Sequence, residues 1–226
     1  MINSPSLARS GERATFLTRT YLHLFGAMIM FTLIEVLMFR SGLAETFARA
    51  MLGFNWLLVL GAFMVVGWFA TRAAHSAQSY TTQYLALSAF VVAEAIIFIP
   101  LLYVAQAYAP GAIQSAAFVT LIGFTGLTAV AWTERRDFSF LGGLLKWGGI
   151  VALVLIVASL LFGFHLGTWF SVGMVAFAGA SVLYDTSRIL HHYPNDRYVG
   201  AALELFGSVA LMFWYVLRLM MAFGRD

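Results

Sequence analysis

An aspartate lies inside the apolar run from Thr168 to Leu190, in the string Ser181-Val182-Leu183-Tyr184-Asp185-Thr186. A carboxylate at membrane depth costs roughly 2.5–3.5 kcal/mol on insertion scales, so Asp185 should face a protein interior or water and is a functional candidate. Glu94 sits near the middle of a second run, in Val91-Val92-Ala93-Glu94-Ala95-Ile96, six residues before Pro100. That is deeper than a snorkelling side chain can rescue, so it must face inward. Either a neutral Glu94 hydrogen-bonds a neighbouring helix, or it serves a cation path or proton relay. Glu35, near the outer end of the first run, is expected to reach interfacial water.

Other chemistry finds little support. Cysteine is absent, which excludes disulfides, thiolate metal sites and cysteine nucleophiles. His191 and His192 precede Tyr193-Pro194-Asn195-Asp196, but adjacent helical residues point about 100° apart and no second pair stands at ligand spacing. They read as a solvated loop, and His23, His75 and His165 are isolated and receive no role. There is no His-Glu-x-x-His motif, no phosphate-cradling glycine loop and no nucleophile elbow. Ser171, Ser181, Ser187 and Ser208 share the apolar runs with acids, yet a serine there usually bonds its own helix, so no enzyme is expected.

The elements that must position these acids are set by composition. Of 226 residues, 62% are hydrophobic and 10% charged, too few polar side chains to coat a soluble globule. The fold class is an all-α polytopic membrane protein. Seven blocks are long enough to cross a core about 30 Å thick, which takes about 20 helical residues. They are Leu17–Phe39, Asn55–Thr71, Tyr80–Tyr103, Ala112–Trp132, Phe140–Phe164, Thr168–Leu190 and Tyr198–Phe223, with the second starting at Asn55 or earlier, near Met51. Residues 1–16 form a polar amino-terminal tail and 17–226 a single seven-helix domain; the first block is read as a retained helix. Trp56, Trp132, Trp169 and Tyr198 near block ends suit an interfacial belt, and Gly142-Gly143, Gly173 and Gly179 suit close helix approach.

Cations orient the chain, because short loops rich in Lys and Arg stay cytoplasmic. With the amino terminus inside, the inner segments hold Arg9, Arg13, Arg19, Arg72, Arg135, Arg136, Lys146, Arg188 and Arg197, and the outer ones only Arg40, Arg49 and Arg225. Seven crossings then put the carboxy terminus outside; a re-entrant last segment would put both ends inside. The net charge of +3 follows from this bias and does not suggest nucleic-acid binding. The expected partner is the lipid bilayer, with a monomer favoured.

Three strings in order carry a family resemblance: Asp137-Phe138-Ser139-Phe140-Leu141-Gly142-Gly143, Leu183-Tyr184-Asp185-Thr186, and Tyr198-Val199-Gly200-Ala201-Ala202-Leu203 running on to Tyr215-Val216-Leu217-Arg218-Leu219. Over nearly its whole length the chain resembles the Bax inhibitor-1 family, also called the transmembrane Bax inhibitor motif family, and its short tails are similar to the bacterial inner-membrane members. The resemblance implies seven helices with the last surrounded by the other six, and a pH-sensitive calcium leak. It also implies an aspartate pair, one each in the sixth and seventh helices, whose protonation opens the pore.

Asp185 matches the first aspartate of that pair; the second position falls on Ser208, a departure, since a serine can hydrogen-bond a carboxylate but cannot share its titration. Glu204, one turn before Ser208 on the same face, is the alternative second acid. Asp185 lies five residues before the end of its block, and Glu204 and Ser208 lie six and ten residues into theirs, so all three share the inner half of the membrane. Arg72 resembles the family's basic latch for the sixth-helix acid, and Arg218 matches a basic position near the outer end, where snorkelling explains it. Asp185 and Glu204 would supply hard oxygen ligands to calcium as the transported ion, with no tightly bound cofactor expected. A second reading is a nonconducting protein that binds and restrains a membrane-bound ATP-dependent protease through the polar segment from Met1 to Arg13.

Overall fold

The computed structural model describes residues 5–53, 55–76, 79–134 and 137–224. Arg135, Arg136 and Arg225, counted above among the orienting cations, lie outside the described residues, as do residues 1–4 of the amino-terminal segment. Eight helices make up the described chain, with no strand among those residues: α1 (Pro5–Arg40), α2 (Leu43–Gly53), α3 (Trp56–Ser76), α4 (Tyr80–Tyr108), α5 (Ala112–Thr133), α6 (Leu141–Phe162), α7 (Thr168–His191) and α8 (Tyr198–Phe223). Such apolar segments become helices because hydrocarbon leaves the backbone no other partner.

Six of these are long and apolar enough to cross a membrane: α1, α3, α4, α5, α6 and α8. α7, expected as the sixth crossing, has the length but not the same apolarity, for it carries Asp185, Arg188 and several Ser and Thr residues.

α2 was not expected. Its eleven residues are far short of the roughly 20 that span a bilayer. One face buries Ala44 and Ala48 against Ile99 of α4, while Glu45 and Arg49 pair at 2.6 Å in solvent. Gly42, at φ +77°, makes the left-handed turn that separates it from α1. Met51 therefore belongs to α2, and α3 starts after Asn55, whose side-chain oxygen accepts the Leu57 amide at 3.0 Å as an N-cap. The segment read as a polar tail is also helical from Pro5 and continuous with the first span.

α8 is the axis of the bundle. It buries 15 of its 26 residues, whereas the peripheral α6 buries only Ala152. α8 packs against α1, α3, α4, α5 and α7, and meets α6 where Ala152 joins Tyr215. Small residues allow this approach: a Cβ on Gly200 would stand 3.1 Å from the Ala74 carbonyl oxygen of α3. Of the glycines singled out above, Gly142 lies under the Tyr184 ring and Gly179 faces Leu127, while Gly143 and Gly173 have open space.

Candidate functional site

Two antiparallel helices, α7 and α8, form the most extensive helix pair and bring the chemistry together at one end of the bundle, where α7 ends and α8 begins. The Ser208 hydroxyl donates to Asp185 Oδ2 at 2.6 Å, and both side chains are only 8% exposed. Three residues further along α7, Arg188 donates to Glu204 Oε1 at 3.2 Å and Oε2 at 3.4 Å, four residues back on α8. The two contacts are successive rungs between antiparallel helices, because i+3 and i+4 neighbours share a face.

A third helix completes the cluster. His75, in the last turn of α3, donates from Nδ1 to the Thr71 carbonyl at 2.7 Å, which leaves Nε2 as the nitrogen that exchanges a proton. That Nε2 lies 2.9 Å from Glu204 Oε1 and 2.6 Å from the Tyr193 hydroxyl. Neutral, it accepts from Tyr193; protonated, it donates to Glu204. Arg188 is held over the rings of Tyr184 and Tyr193 at 5.5 and 5.6 Å. The ionisable groups that reach toward Asp185 are Glu204, Arg188 and, when protonated, His75.

Surrounding contacts lock this end. Arg13 of α1 donates to the carbonyls of Tyr193 and Ile189 and to Asn195 Oδ1, and Phe16 stacks on Tyr193. Arg197 donates to the carbonyl of His75. From the α5–α6 link, the Phe138 amide donates to Ser187 Oγ at 2.9 Å. Asp137 accepts the Ser139 amide at 2.9 Å, and that bond holds its carboxylate below the ordinary aspartate range. Burial pushes the Tyr193 hydroxyl well above its usual range, so it is a standing donor.

The structure thus joins Asp185 with Ser208 and sets Glu204 beside them. Arg72, expected as the latch, is exposed with its guanidinium 5.4 Å over the Trp68 ring, and the cations that meet the acids are Arg188 and His75. Glu94 is buried inside the bundle and lines a cavity of about 860 Å³ walled by α3, α4, α6, α7 and α8, with His165 and Arg218 also on its lining. Arg218, read as snorkelling, therefore also faces this cavity. The lining includes Gly207, next to Ser208, so the cavity reaches the level of the acid pair. Glu35 departs from expectation: it is turned inward and buried rather than reaching interfacial water. Among the described residues no three His, Asp or Glu side chains converge as a metal-holding group, and His191 bonds the Ser187 carbonyl while His192 lies 3.4 Å from Asp137.

His75, Arg188 and Tyr193 were not anticipated. Arg188 was legible, standing at i+3 from Asp185. His75 and Tyr193 carry no local signal, since each is the other's partner across 118 residues of chain and His75 meets Glu204 on a helix distant from it in sequence.

A family model described as inhibitor of apoptosis-promoting Bax1 matches residues 13–225. The chain belongs to the Bax inhibitor-1 family. Individual relatives align over shorter stretches. An uncharacterised protein of Pseudomonas aeruginosa is 36% identical over 117 residues, 50% of this chain and 51% of the relative. Bax inhibitor 1 of Schizosaccharomyces pombe is 32% identical over 114 residues, 48% of this chain and 41% of that one. The Escherichia coli protein named modulator of FtsH protease YccA is 30% identical over 110 residues, 47% and 49% of the two chains. The chain thus spans about half the length of the curated relatives it matches. In this Bax inhibitor-1 family member the α7 acid meets a serine on α8, and the second carboxylate stands one turn away.

Proposed function

We propose that this membrane protein is a pH-sensitive cation leak, with calcium the ion carried, gated by protonation of Asp185. The observation that carries the reading is the buried Ser208–Asp185 hydrogen bond at 2.6 Å, which ties α7 to α8 beside the cavity that Glu94 lines. A hydrogen bond to an ionised carboxylate is roughly twice as strong as one to a neutral acceptor, so the charged form of Asp185 holds the helices together. Protonation weakens that tie and leaves Arg188 balanced by Glu204 alone, which favours separation of α7 from α8. Ser208 cannot take a proton from Asp185, and the other carboxylate of the cluster, Glu204, stands one turn away, held by Arg188 and His75. The two carboxylates with Glu94 offer oxygen ligands to a passing ion, too few for a resident calcium cage, which takes six to eight.

We place the chain in an inner membrane of bacterial type with its amino terminus cytoplasmic, in seven crossings that include α7. The cation distribution supports that orientation, and an Escherichia coli relative is named inner membrane protein YccA. The test is calcium flux into liposomes holding the purified protein from pH 5 to 8. Flux should rise as pH falls in the native chain and be high and nearly pH-independent in Asp185→Asn; flat background flux in both would sink the reading.

The second reading, restraint of a membrane-bound ATP-dependent protease, is favoured by the relative named as a modulator of FtsH protease. Removing residues 1–8 should abolish protease restraint while leaving flux unchanged. The cut must spare Arg13, which anchors the segment from Ile189 to Asn195.

A further inference from the structure

At the other end of the bundle a second acid stands alone. Glu35 lies five residues before the end of α1, on the wall of a pocket of about 350 Å³ between α1, α4, α5 and α8. It is 7% exposed, and neither of its carboxyl oxygens has a hydrogen-bond partner. Thr120 of α5 lines the same pocket, is also buried, and its hydroxyl is likewise without a partner. Two unsatisfied polar groups from different helices in the wall of one cavity are uncommon, since buried polar side chains nearly always find partners.

The surroundings narrow the ligand. Phe31, Phe206, Phe213 and Leu102 make the walls. Val36 of α1 and Leu121 of α5, 41% and 45% exposed, stand at the rim, so the pocket opens toward lipid. An anion is excluded by the carboxyl. A hard metal ion is poorly served, because Glu35 with Thr120, the rim amide of Gln106 and Thr32, whose hydroxyl donates to the Met28 carbonyl, falls short of its roughly six to eight oxygen ligands. An ammonium answers each feature: it donates to Glu35 and Thr120, its charge is balanced by the carboxylate, and aromatic faces attract organic cations.

We infer that this pocket binds a lipophilic organic cation, a protonated amine on a compact apolar body that enters from the bilayer, with Glu35 as its counter-ion. None of Asp185, Ser208, Glu204, Arg188 and His75 lines this pocket, although Phe206 and Val209 on either side of Ser208 do, so the site is distinct from the acid cluster and stands or falls independently of the leak.

The test uses the full chain in lipid nanodiscs, titrated with 1-adamantylamine and with its neutral isostere 1-adamantanol, empty discs being subtracted. The native protein should bind the amine saturably and the alcohol weakly. Glu35→Gln should weaken amine binding by about tenfold or more, the worth of a charge-assisted hydrogen bond. Ala117→Leu, which fills the pocket from α5 and leaves Glu35 in place, should remove the binding. Equal affinity for amine and alcohol, unchanged in Glu35→Gln, would make this a neutral-lipid groove and overturn the inference. So would the absence of saturable amine binding to the native protein. The amine-to-alcohol comparison needs no variant, so it decides even if Glu35→Gln fails to fold.

Discussion

At the scale of single residues, the protein turns on how a buried carboxylate is satisfied. Asp185 has a hydroxyl partner where the family resemblance leads one to expect a second aspartate. The substitution separates two tasks that a paired acid performs at once, bonding and titration. Ser208→Ala should leave Asp185 without its buried donor and destabilise the protein by about 1–3 kcal/mol, read as a lower unfolding temperature in detergent. Ser208→Asp should restore two facing acids, which cannot both ionise at contact distance. Its flux should then titrate in two steps or over a broader pH range than the native chain, and a single unchanged transition would show that residue 208 takes no part in the gate. Glu204 is held differently, between Arg188 and His75, so its charge is balanced while that of Asp185 is only hydrogen-bonded.

At the scale of elements, α8 works because it is thin where others must approach. Gly200 faces backbone, the Ala74 carbonyl of α3, and backbone cannot swing aside as a side chain can. Gly200→Val should force α3 from α8, cost about 1–3 kcal/mol by overpacking, and carry His75 away from Glu204. Thermal unfolding measures the first effect; the second appears as an altered pH profile of flux. α1 matters for a different reason. Its polar first turns continue the helix, and Arg13 clamps the turn between α7 and α8 through three acceptors. α2 is the element hydropathy reading passes over, because two buried alanines on an eleven-residue helix make no apolar block.

At the scale of the whole molecule, two polar sites share the length of α8: an acid cluster where α7 ends and α8 begins, and the Glu35 pocket, which runs from the level of Val209 toward the end where α1 stops, with the Glu94 cavity between other helices. Crossing parity fixes which water phase each end meets. The chain has no cysteine, so single cysteines report topology cleanly. With α7 crossing, His165→Cys should react with an impermeant maleimide added outside intact cells, and Asn195→Cys only after permeabilisation; labelling of both from one side would remove the α7 crossing.

Helical class, long apolar segments and the suspicion attached to Asp185 and Glu94 were determined by the sequence alone, because hydrocarbon punishes unpaired polar groups so severely that composition and position suffice to expose them, whereas Ser208 stood out only through the family resemblance. The same logic misplaced Glu35, since depth along a helix is legible while the direction of a side chain around it depends on neighbours. The identity of the cations was likewise decided only in three dimensions. Arg72 and His75 stand three residues apart on α3, nearly one turn, yet Arg72 lies over Trp68 at the surface and His75 turns to Glu204. Which residue meets an acid is set by the rotation and register of packed helices, and those emerge from small residues such as Gly200 and Ala74 fitting together across the chain.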